Sequence, residues 1–389
     1  MYTVGHRAAS KWVLLRPREE VAMVHSRLAP SLLLVALSAC GPEMMLVDPD
    51  AGSPSAPSDG GTLPLVMDAS TASDAGPRSL PDAQPWPDAT SSEPDAARVP
   101  PAACPEVVEG LNVIHLGETE RRFWVSSPAS STTPPAVVFW FHGFSGPRAP
   151  DTDALEDSAR LDDLGIRPDA DPTFPFVRVL LEDTNLQPLS GLDWDIRTDT
   201  PNRDLELFDT VLACVIFHRG VARDRVFAAG FSAGATFANL LHSARGETVR
   251  AIYTASGLWA NEPLNLTLAH RVTFGAPLVA WDWPALEPIA RGSAAVLLTH
   301  GGSSDNVPGS PNPVPSNLTE AGRAAASMLL AQGRVVIECE HDGGHVLHPE
   351  VTGAVVLGFF AAHVGEGPSP WLSVAPSLPP SCSLQLPMP

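Results

Sequence analysis

The stretch Ala228–Ala238 reads AAGFSAGATFA and places Ser232 between Gly230 and Gly234. This Gly-x-Ser-x-Gly pattern is typical of a sharp turn from a strand into a helix, with the serine at the turn. The apolar residues before it predict a strand, and the residues from Ala233 onward predict a helix. We therefore predict that Ser232 is a nucleophile at a helix N-terminus, where free N–H groups favour negative charge. The alternative is a serine in an ordinary strand-to-helix turn.

A serine hydroxyl becomes an effective nucleophile only when a base accepts its proton. The segment EHDGGH at 340–345 follows the last predicted strand and ends at His345. The two glycines before His345 allow the loop to bend back toward the serine. We predict His345 as the base, with His341 and His348 as alternatives.

The base needs a carboxylate that fixes its tautomer and stabilises the imidazolium. Asp305 lies in the segment THGGSSDNVP at 299–308, just after a predicted strand. Asp282 and Asp342 are alternatives. We prefer Asp305 because each of the three groups then follows the C-terminal end of a strand.

The reaction of a serine nucleophile with a carbonyl group also requires N–H donors aimed at the developing oxyanion. The N–H of Ala233 is one candidate. The loop FHGFSG at 141–146 follows the third predicted strand, and Gly143 allows its backbone to turn inward. The N–H of Phe144 is therefore the second predicted donor.

From Cys104 onward, short β-rich apolar runs alternate with helical patterns. This alternation predicts an α/β fold whose mostly parallel sheet of eight strands is covered by helices on both faces. The predicted strands are Asn112–Leu116, Arg122–Ser126, Ala136–Phe141, Phe176–Leu181, Arg225–Ala229, Ala251–Ala255, Ala295–Thr299 and Arg334–Glu338. The predicted helices are Asp153–Leu164, Asp204–Phe217, Ala233–Ser243, Leu318–Ala331 and Pro349–His363, and Asn317 is expected to cap the fourth.

Several segments, in this order, carry a resemblance to a known family. They are FHGFSG (141–146), Trp194 followed by DLELFD (204–209), DRVFAAGFSAGA (224–235), THGGSSDNVP (299–308) and DGGHVLHP (342–349). Together they resemble the secreted polyhydroxybutyrate depolymerase and feruloyl/acetylxylan esterase group of α/β-hydrolases, over roughly residues 104–364. The resemblance implies an α/β-hydrolase sheet, no cofactor, and ester substrates of polymeric or phenolic kind. It also implies a Ser–His–Asp triad with its oxyanion donors, carried by Ser232, His345, Asp305, Phe144 and Ala233.

Four tryptophans are candidates for contacts with substrate, namely Trp194, Trp259, Trp281 and Trp283. The last three lie in the long connection Trp259–Gly292, and long insertions are often lids or binding loops. A crossover helix with its tryptophans in the core is an equally good interpretation. The cysteines show no Cys-x-x-Cys and no His–Cys cluster, so we predict no metal site.

The N-terminal part of the chain has the pattern of an exported protein. Residues 1–40 combine a basic start, the short apolar run Leu32–Leu37 and small residues before Cys40. The sequence LSAC resembles the lipobox of bacterial lipoprotein signals, which implies cleavage before Cys40 and lipidation of its thiol. Residues 41–103 are rich in Pro, Ala and Asp, too poor in apolar side chains to fold, and are predicted to be a disordered tether.

Four further cysteines predict two disulfides in an oxidising compartment: Cys104, Cys214, Cys339 and Cys382. Three connectivities are possible. We favour Cys104–Cys382 with Cys214–Cys339, because the first pair would then close the ends of the domain. Two buried free thiols are the alternative for Cys214 and Cys339. The predicted catalytic domain spans residues 104–365, and a proline-rich tail spans 366–389.

The sequence as a whole therefore predicts an exported, envelope-anchored or extracellular serine esterase that touches a membrane only through its lipid. A net charge of −20 and the lack of a Lys/Arg cluster argue against nucleic acid as a partner. The expected partner is an ester substrate, either small or polymeric. The alternatives are an inactive binding lipoprotein with a hydrolase fold, and a serine peptidase on the same fold.

Overall fold

The computed structural model of the protein describes residues 104–144, 150–184, 193–198, 201–272, 283, 285–306 and 317–389. The predicted signal segment with Cys40, the predicted tether, Trp281 and Asp282 lie outside these ranges. Among the described residues, no helix combines the length and the hydropathy that a membrane crossing requires.

The described residues build one sheet of nine strands. These are β1 (Gly110–Leu116), β2 (Thr119–Ser126), β3 (Ala136–Phe141), β4 (Phe176–Leu181), β5 (Val226–Phe231), β6 (Ala251–Ala255), β7 (Ala295–His300), β8 (Val335–Glu340) and β9 (Cys382–Gln385). Their order across the sheet is β1-β2-β4-β3-β5-β6-β7-β8-β9. The strands β3 to β8 run parallel, whereas the pairs β1–β2, β2–β4 and β8–β9 are antiparallel.

The central strands are buried on both faces, which explains their unbroken apolar sequences. In β3, with the sequence AVVFWF, all six residues are buried. Val137, Phe139 and Phe141 point into one hydrophobic core, and their neighbours Val138 and Trp140 point into the other. A strand with helices on both sides has no solvent face, so polar residues have no place to alternate with the apolar ones.

Six α-helices in the described ranges supply the two outer layers. They are α1 (Pro150–Leu164), α2 (Arg203–Arg219), α3 (Ala233–Ala244), α4 (Pro263–Val272), α5 (Leu318–Ala331) and α6 (Gly353–Ala362). Buried residues of α2, α3, α4 and α5 belong to one core, and those of α1 and α6 to the other. The side chain of Asn317 accepts the N–H of Glu320, which is the predicted cap of α5. This is the α/β-hydrolase fold that the sequence predicted.

The sheet has one strand more than the predicted eight. The segment that the sequence set apart as a proline-rich tail contributes β9, which pairs antiparallel with β8. With only four residues, CSLQ, this strand is too short for its pattern to be recognised in a proline-rich sequence. Its position at the sheet edge is held by ladder hydrogen bonds and by a disulfide.

The favoured disulfide connectivity was wrong. The bonds are Cys104–Cys214 and Cys339–Cys382. Cys339 and Cys382 are direct partners in the β8–β9 ladder, and Cys104 packs against the core that contains Cys214. The ends of the domain are therefore tied separately, one to α2 and the other to β8.

Candidate active site

The functional candidates meet at one edge of the sheet. Ser232 follows β5, Asp305 lies beyond β7, and His345 lies beyond β8. Because these strands are parallel, their C-terminal ends lie at the same edge. Three loops that are far apart in sequence are thereby brought together, as ligand sites in α/β sheets generally require.

Ser232 sits at a sharp turn between β5 and α3. Its φ is 55°, a left-handed conformation that is unusual for a residue with a side chain. A Cβ at Gly230 would lie 2.7 Å from the nitrogen of Ala235, and one at Gly234 would overlap the carbonyl oxygens at the end of β3. Both glycines are therefore required by close backbone approach, which explains their place in the Gly-x-Ser-x-Gly pattern.

A continuous hydrogen-bond chain connects the three predicted residues. The Nε2 atom of His345 lies 2.8 Å from the hydroxyl of Ser232. The Nδ1 atom of the same ring lies 2.8 Å from Oδ1 of Asp305. A ring that donates from Nδ1 to the carboxylate presents a lone pair at Nε2, which can accept the serine proton.

Asp305 is completely buried and is held by three donors. Its Oδ2 atom accepts the hydroxyl of Ser256 at 2.7 Å and the N–H of Gly301 at 2.8 Å. Burial by itself would raise the pKa of Asp305, but the hydrogen bonds from His345, Gly301 and Ser256 outweigh it and lower the pKa. The carboxylate is therefore ionised and can stabilise a cationic imidazole.

The alternative bases are engaged elsewhere. The Nδ1 atom of His341 accepts the N–H of Gly343, and the Nδ1 atom of His348 accepts the N–H of Glu350. The two rings contact each other edge to face, with centroids 4.8 Å apart. Of the three histidines in this loop, His345 is the one whose ring bonds to Ser232.

The loop after β3 lies directly against the serine. A Cβ placed on Gly143 would be 3.0 Å from the ring of Phe231 and in van der Waals contact with the Cβ of Ser232, at 3.4 Å. Phe144 is the next residue, and Ala233 follows the serine at the start of α3. The structure thus places both predicted oxyanion donors on segments adjacent to the hydroxyl.

Trp194 packs against this loop from the protein interior. It is fully buried, and its Nε1–H donates to the carbonyl oxygen of His142 at 2.9 Å. Its ring stacks on Phe237 of α3 and meets Phe141 edge on. Trp194 therefore connects the candidate oxyanion loop to the helix that begins at the serine.

The predicted role of the tryptophans in substrate contact does not agree with their burial. Trp194 and Trp259 are fully buried, and Trp283 is 4 % exposed, with its Nε1–H donating to the carbonyl oxygen of Ile196. Trp259 and Trp283 flank α4, so the described part of the long connection is a crossover helix with core tryptophans. A bulky aromatic side chain gains more from core burial than from solvent exposure, and sequence alone does not separate the two. Trp281 lies outside the described residues.

His142 in the oxyanion loop forms a partly buried cluster with Asp183 and Asp193 that the sequence did not single out. Each offers one atom to a cation, and these atoms lie within 4.8 Å of one another. However, the Nδ1–H of His142 donates to the carbonyl oxygen of Gly143 at 2.8 Å, and its Nε2 lies 3.0 Å from Asp183. Burial by itself would lower the pKa of His142, but the hydrogen bond and charge of Asp183 outweigh it and raise the pKa to about 9. A ring that donates from both nitrogens has no lone pair for a metal ion, so the cluster fits an imidazolium between carboxylates.

The nine-stranded sheet and the strand–serine–helix turn define the α/β-hydrolase fold. Solved structures with this fold include native sOPH, with a TM-score of 0.55 and 20 % identity, covering 73 % of this chain and 97 % of that one. Native pOPH matches with a TM-score of 0.54 and 17 % identity over 73 % of this chain and 96 % of that one. The complex of a serine-to-alanine pOPH variant with pNPB matches with a TM-score of 0.54 and 18 % identity over the same shares. No family model and no curated protein sequence matches the chain.

Proposed function

We propose that the protein is a serine esterase that hydrolyses carboxylic esters through an acyl-enzyme. The observation that carries this proposal is the hydrogen-bond chain from Ser232 through His345 to the buried carboxylate of Asp305. Nucleophile, base and orienting acid are the three parts that acyl transfer by a serine requires.

In the proposed first half-reaction, the hydroxyl oxygen of Ser232 attacks the ester carbonyl carbon, and its proton passes to Nε2 of His345. The carbonyl oxygen becomes an oxyanion that accepts the N–H groups of Ala233 and Phe144. The carbon–oxygen bond to the alcohol then breaks, and the alcohol leaves with the proton from His345. Asp305 stabilises the imidazolium while it carries this proton.

In the second half-reaction, water replaces the alcohol. His345 accepts a proton from the water, whose oxygen attacks the acyl carbon attached to Ser232. The acid is released as the bond to the serine breaks, and the proton on His345 returns to the serine oxygen. The net change is one ester and one water converted into one acid and one alcohol.

The proposed substrates have an apolar or aromatic acyl part, as in polyhydroxyalkanoate, feruloyl or acetyl-polysaccharide esters. Two large apolar side chains adjacent to the chemistry are exposed, Phe144 at 48 % and Val346 at 50 %. An exposed apolar rim at a catalytic edge suits an apolar substrate surface. The resemblance to polyhydroxybutyrate depolymerases and feruloyl/acetylxylan esterases supports the same substrates.

We further propose that the protein is exported and held at the cell envelope by a lipid on Cys40. The basic start, the short apolar run and the LSAC sequence support export and lipidation. The two disulfides of the catalytic domain add support, because such bonds persist mainly in oxidising compartments.

The alternative of an inactive binding lipoprotein gains no support from Trp259 and Trp283, because both side chains are buried. A peptidase would use the same three catalytic groups. The two reactions are distinguished by the leaving group, so the assay must compare an ester with an amide of the same acyl chain.

The test is a substrate panel with the purified protein and its Ser232→Ala variant. We expect hydrolysis of p-nitrophenyl butyrate and of one or more of polyhydroxybutyrate, methyl ferulate and acetyl-xylan, with the matching anilide cleaved far more slowly. The variant should lose kcat by on the order of 10⁴-fold or more. A fluorophosphonate probe should label Ser232 in the native protein. Full esterase activity in the variant would refute the proposal.

A further inference from the structure

Ser256 has the same unusual backbone conformation as the candidate nucleophile. Among the described residues, Ser232 with φ 55° and Ser256 with φ 54° are the non-glycine residues with a positive φ. The two serines occupy matching positions at the ends of neighbouring strands. Ser232 follows Phe231 in β5, Ser256 follows Ala255 in β6, and Phe231 pairs with Ala255. A left-handed conformation at a residue with a side chain is costly, and it persists where the surrounding structure compensates for it.

The hydroxyl of Ser256 is directed at the candidate acid. It donates to Oδ2 of Asp305 at 2.7 Å, and the side chain is 4 % exposed. The N–H of Gly301 donates to the same oxygen at 2.8 Å. The two donors occupy Oδ2 and leave Oδ1 for His345, which lies 2.8 Å away.

The backbone around Ser256 is fixed on both sides. Its N–H donates to the carbonyl oxygen of Thr299 in β7 at 2.8 Å. A Cβ at Gly257 would lie 2.6 Å from the Cβ of Ala235 and 2.9 Å from the nitrogen of Thr236, so this glycine packs directly against α3. Ser256 is therefore held between the helix that follows the nucleophile and the strand that leads to Asp305.

We propose that Ser256 is a positioning residue for the triad, whose hydroxyl fixes the rotation of the Asp305 carboxylate and thereby aligns His345 with Ser232. This inference rests on the proposed esterase function. Ser256 reaches the reaction through Asp305 and His345 and contacts neither of the reacting atoms. A carboxylate held by one donor on Oδ2 can rotate about its bond to Cβ, and the imidazole that it orients then loses its alignment with the serine.

We expect removal of the Ser256 hydroxyl to slow the chemical step rather than to weaken substrate binding. Loss of a hydrogen bond to a charged group predicts a fall in kcat of about tenfold for Ser256→Ala. The KM for p-nitrophenyl butyrate should change little, because the hydroxyl is buried behind Asp305. The proton resonance of Nδ1–H in His345 should shift or broaden in the variant, since that proton lies in the bond to Asp305.

Two further variants separate the hydroxyl from the backbone. Ser256→Gly also lacks the hydroxyl but adopts positive φ without strain, so it should be thermally more stable than Ser256→Ala and equally low in kcat. Ser369→Ala is the matched control, because Ser369 is also 4 % exposed and its hydroxyl lies 2.8 Å from a histidine, His363. The control should lose thermal stability while its kcat and the His345 resonance stay unchanged.

The proposal is overturned if Ser256→Gly regains the native kcat, because the turn alone would then be what matters. An unchanged His345 resonance in both Ser256 variants would also overturn it. If the native protein hydrolyses no ester and Ser232 is not labelled by a fluorophosphonate, the esterase proposal fails. The resonance still decides in that case whether Ser256 orients the pair formed by Asp305 and His345.

Discussion

Replacing Gly301 by alanine should push apart the two loops that carry the acid and the base. The N–H of Gly301 donates to Asp305, and its carbonyl oxygen accepts the N–H of Gly344 at 3.1 Å. An added Cβ would lie 2.5 Å from the carbonyl carbon of Gly344 and even nearer to its oxygen, whereas ordinary contacts begin at 3.4 Å. Both partners are backbone, so the clash can be relieved only by moving the loops apart, by at least about 1 Å. A misplacement of this size in a catalytic arrangement costs about 100-fold in rate.

The assay is the steady-state hydrolysis of p-nitrophenyl butyrate, measured together with thermal unfolding. Gly301→Ala should lose kcat by about 100-fold at a temperature where the variant is still folded. The control is Gly358→Ala in α6, where an added Cβ meets no atom within 4 Å. That substitution should leave kcat unchanged and stabilise the helix by about 1 kcal/mol. A Gly301→Ala variant with kcat within about threefold of the native value would refute the view that this contact spaces the triad.

Two further predictions concern stability. Burial lowers the pKa of His242 to about 3 and that of His363 to about 4, from the ordinary 6.5. The unfolded state therefore binds protons at a higher pH than the folded state does. As a result, these two groups lower the free energy of unfolding as the pH drops from about 6.5 toward 4. At pH 4.5 His242 alone should lower the free energy of unfolding by on the order of 3 kcal/mol relative to pH 7.5. Urea titrations at both pH values test this, and equal urea midpoints would contradict it. Replacing both Cys339 and Cys382 by serine opens a bond across 43 residues and should lower the free energy of unfolding by about 4 kcal/mol. An unchanged urea midpoint in the double variant would count against that stabilisation.

Most of the secondary structure could be predicted because its causes are local. The strands Ala136–Phe141, Phe176–Leu181 and Ala251–Ala255 and the helix Leu318–Ala331 have the predicted bounds. Their apolar patterns are complete within each element, and the cap at Asn317 lies next to the helix that it stabilises. The four residues of β9 lack such a pattern, and their pairing depends on a distant strand.

The candidate triad was also accessible from the sequence. In a parallel sheet the C-terminal ends of all strands meet at one edge, so residues that follow strands are brought together whatever their distance along the chain. That rule favours Ser232, Asp305 and His345, and the structure decides between His345 and its neighbours His341 and His348. Ser256 could have been noticed as a Ser-Gly pair at the end of a strand, but nothing in that pair indicates which side chain its hydroxyl contacts.

By itself, the sequence therefore determined the fold class and most of the elements, and it favoured the three residues linked by the hydrogen-bond chain over their named alternatives. The tertiary structure decided the cysteine pairing, the ninth strand, the burial of Trp194, Trp259 and Trp283, and the contact of Ser256 with Asp305. The physical reason is the range of the interactions. Helix and strand patterns arise among near neighbours, whereas these contacts depend on how whole layers pack against each other, and that packing is settled only in three dimensions.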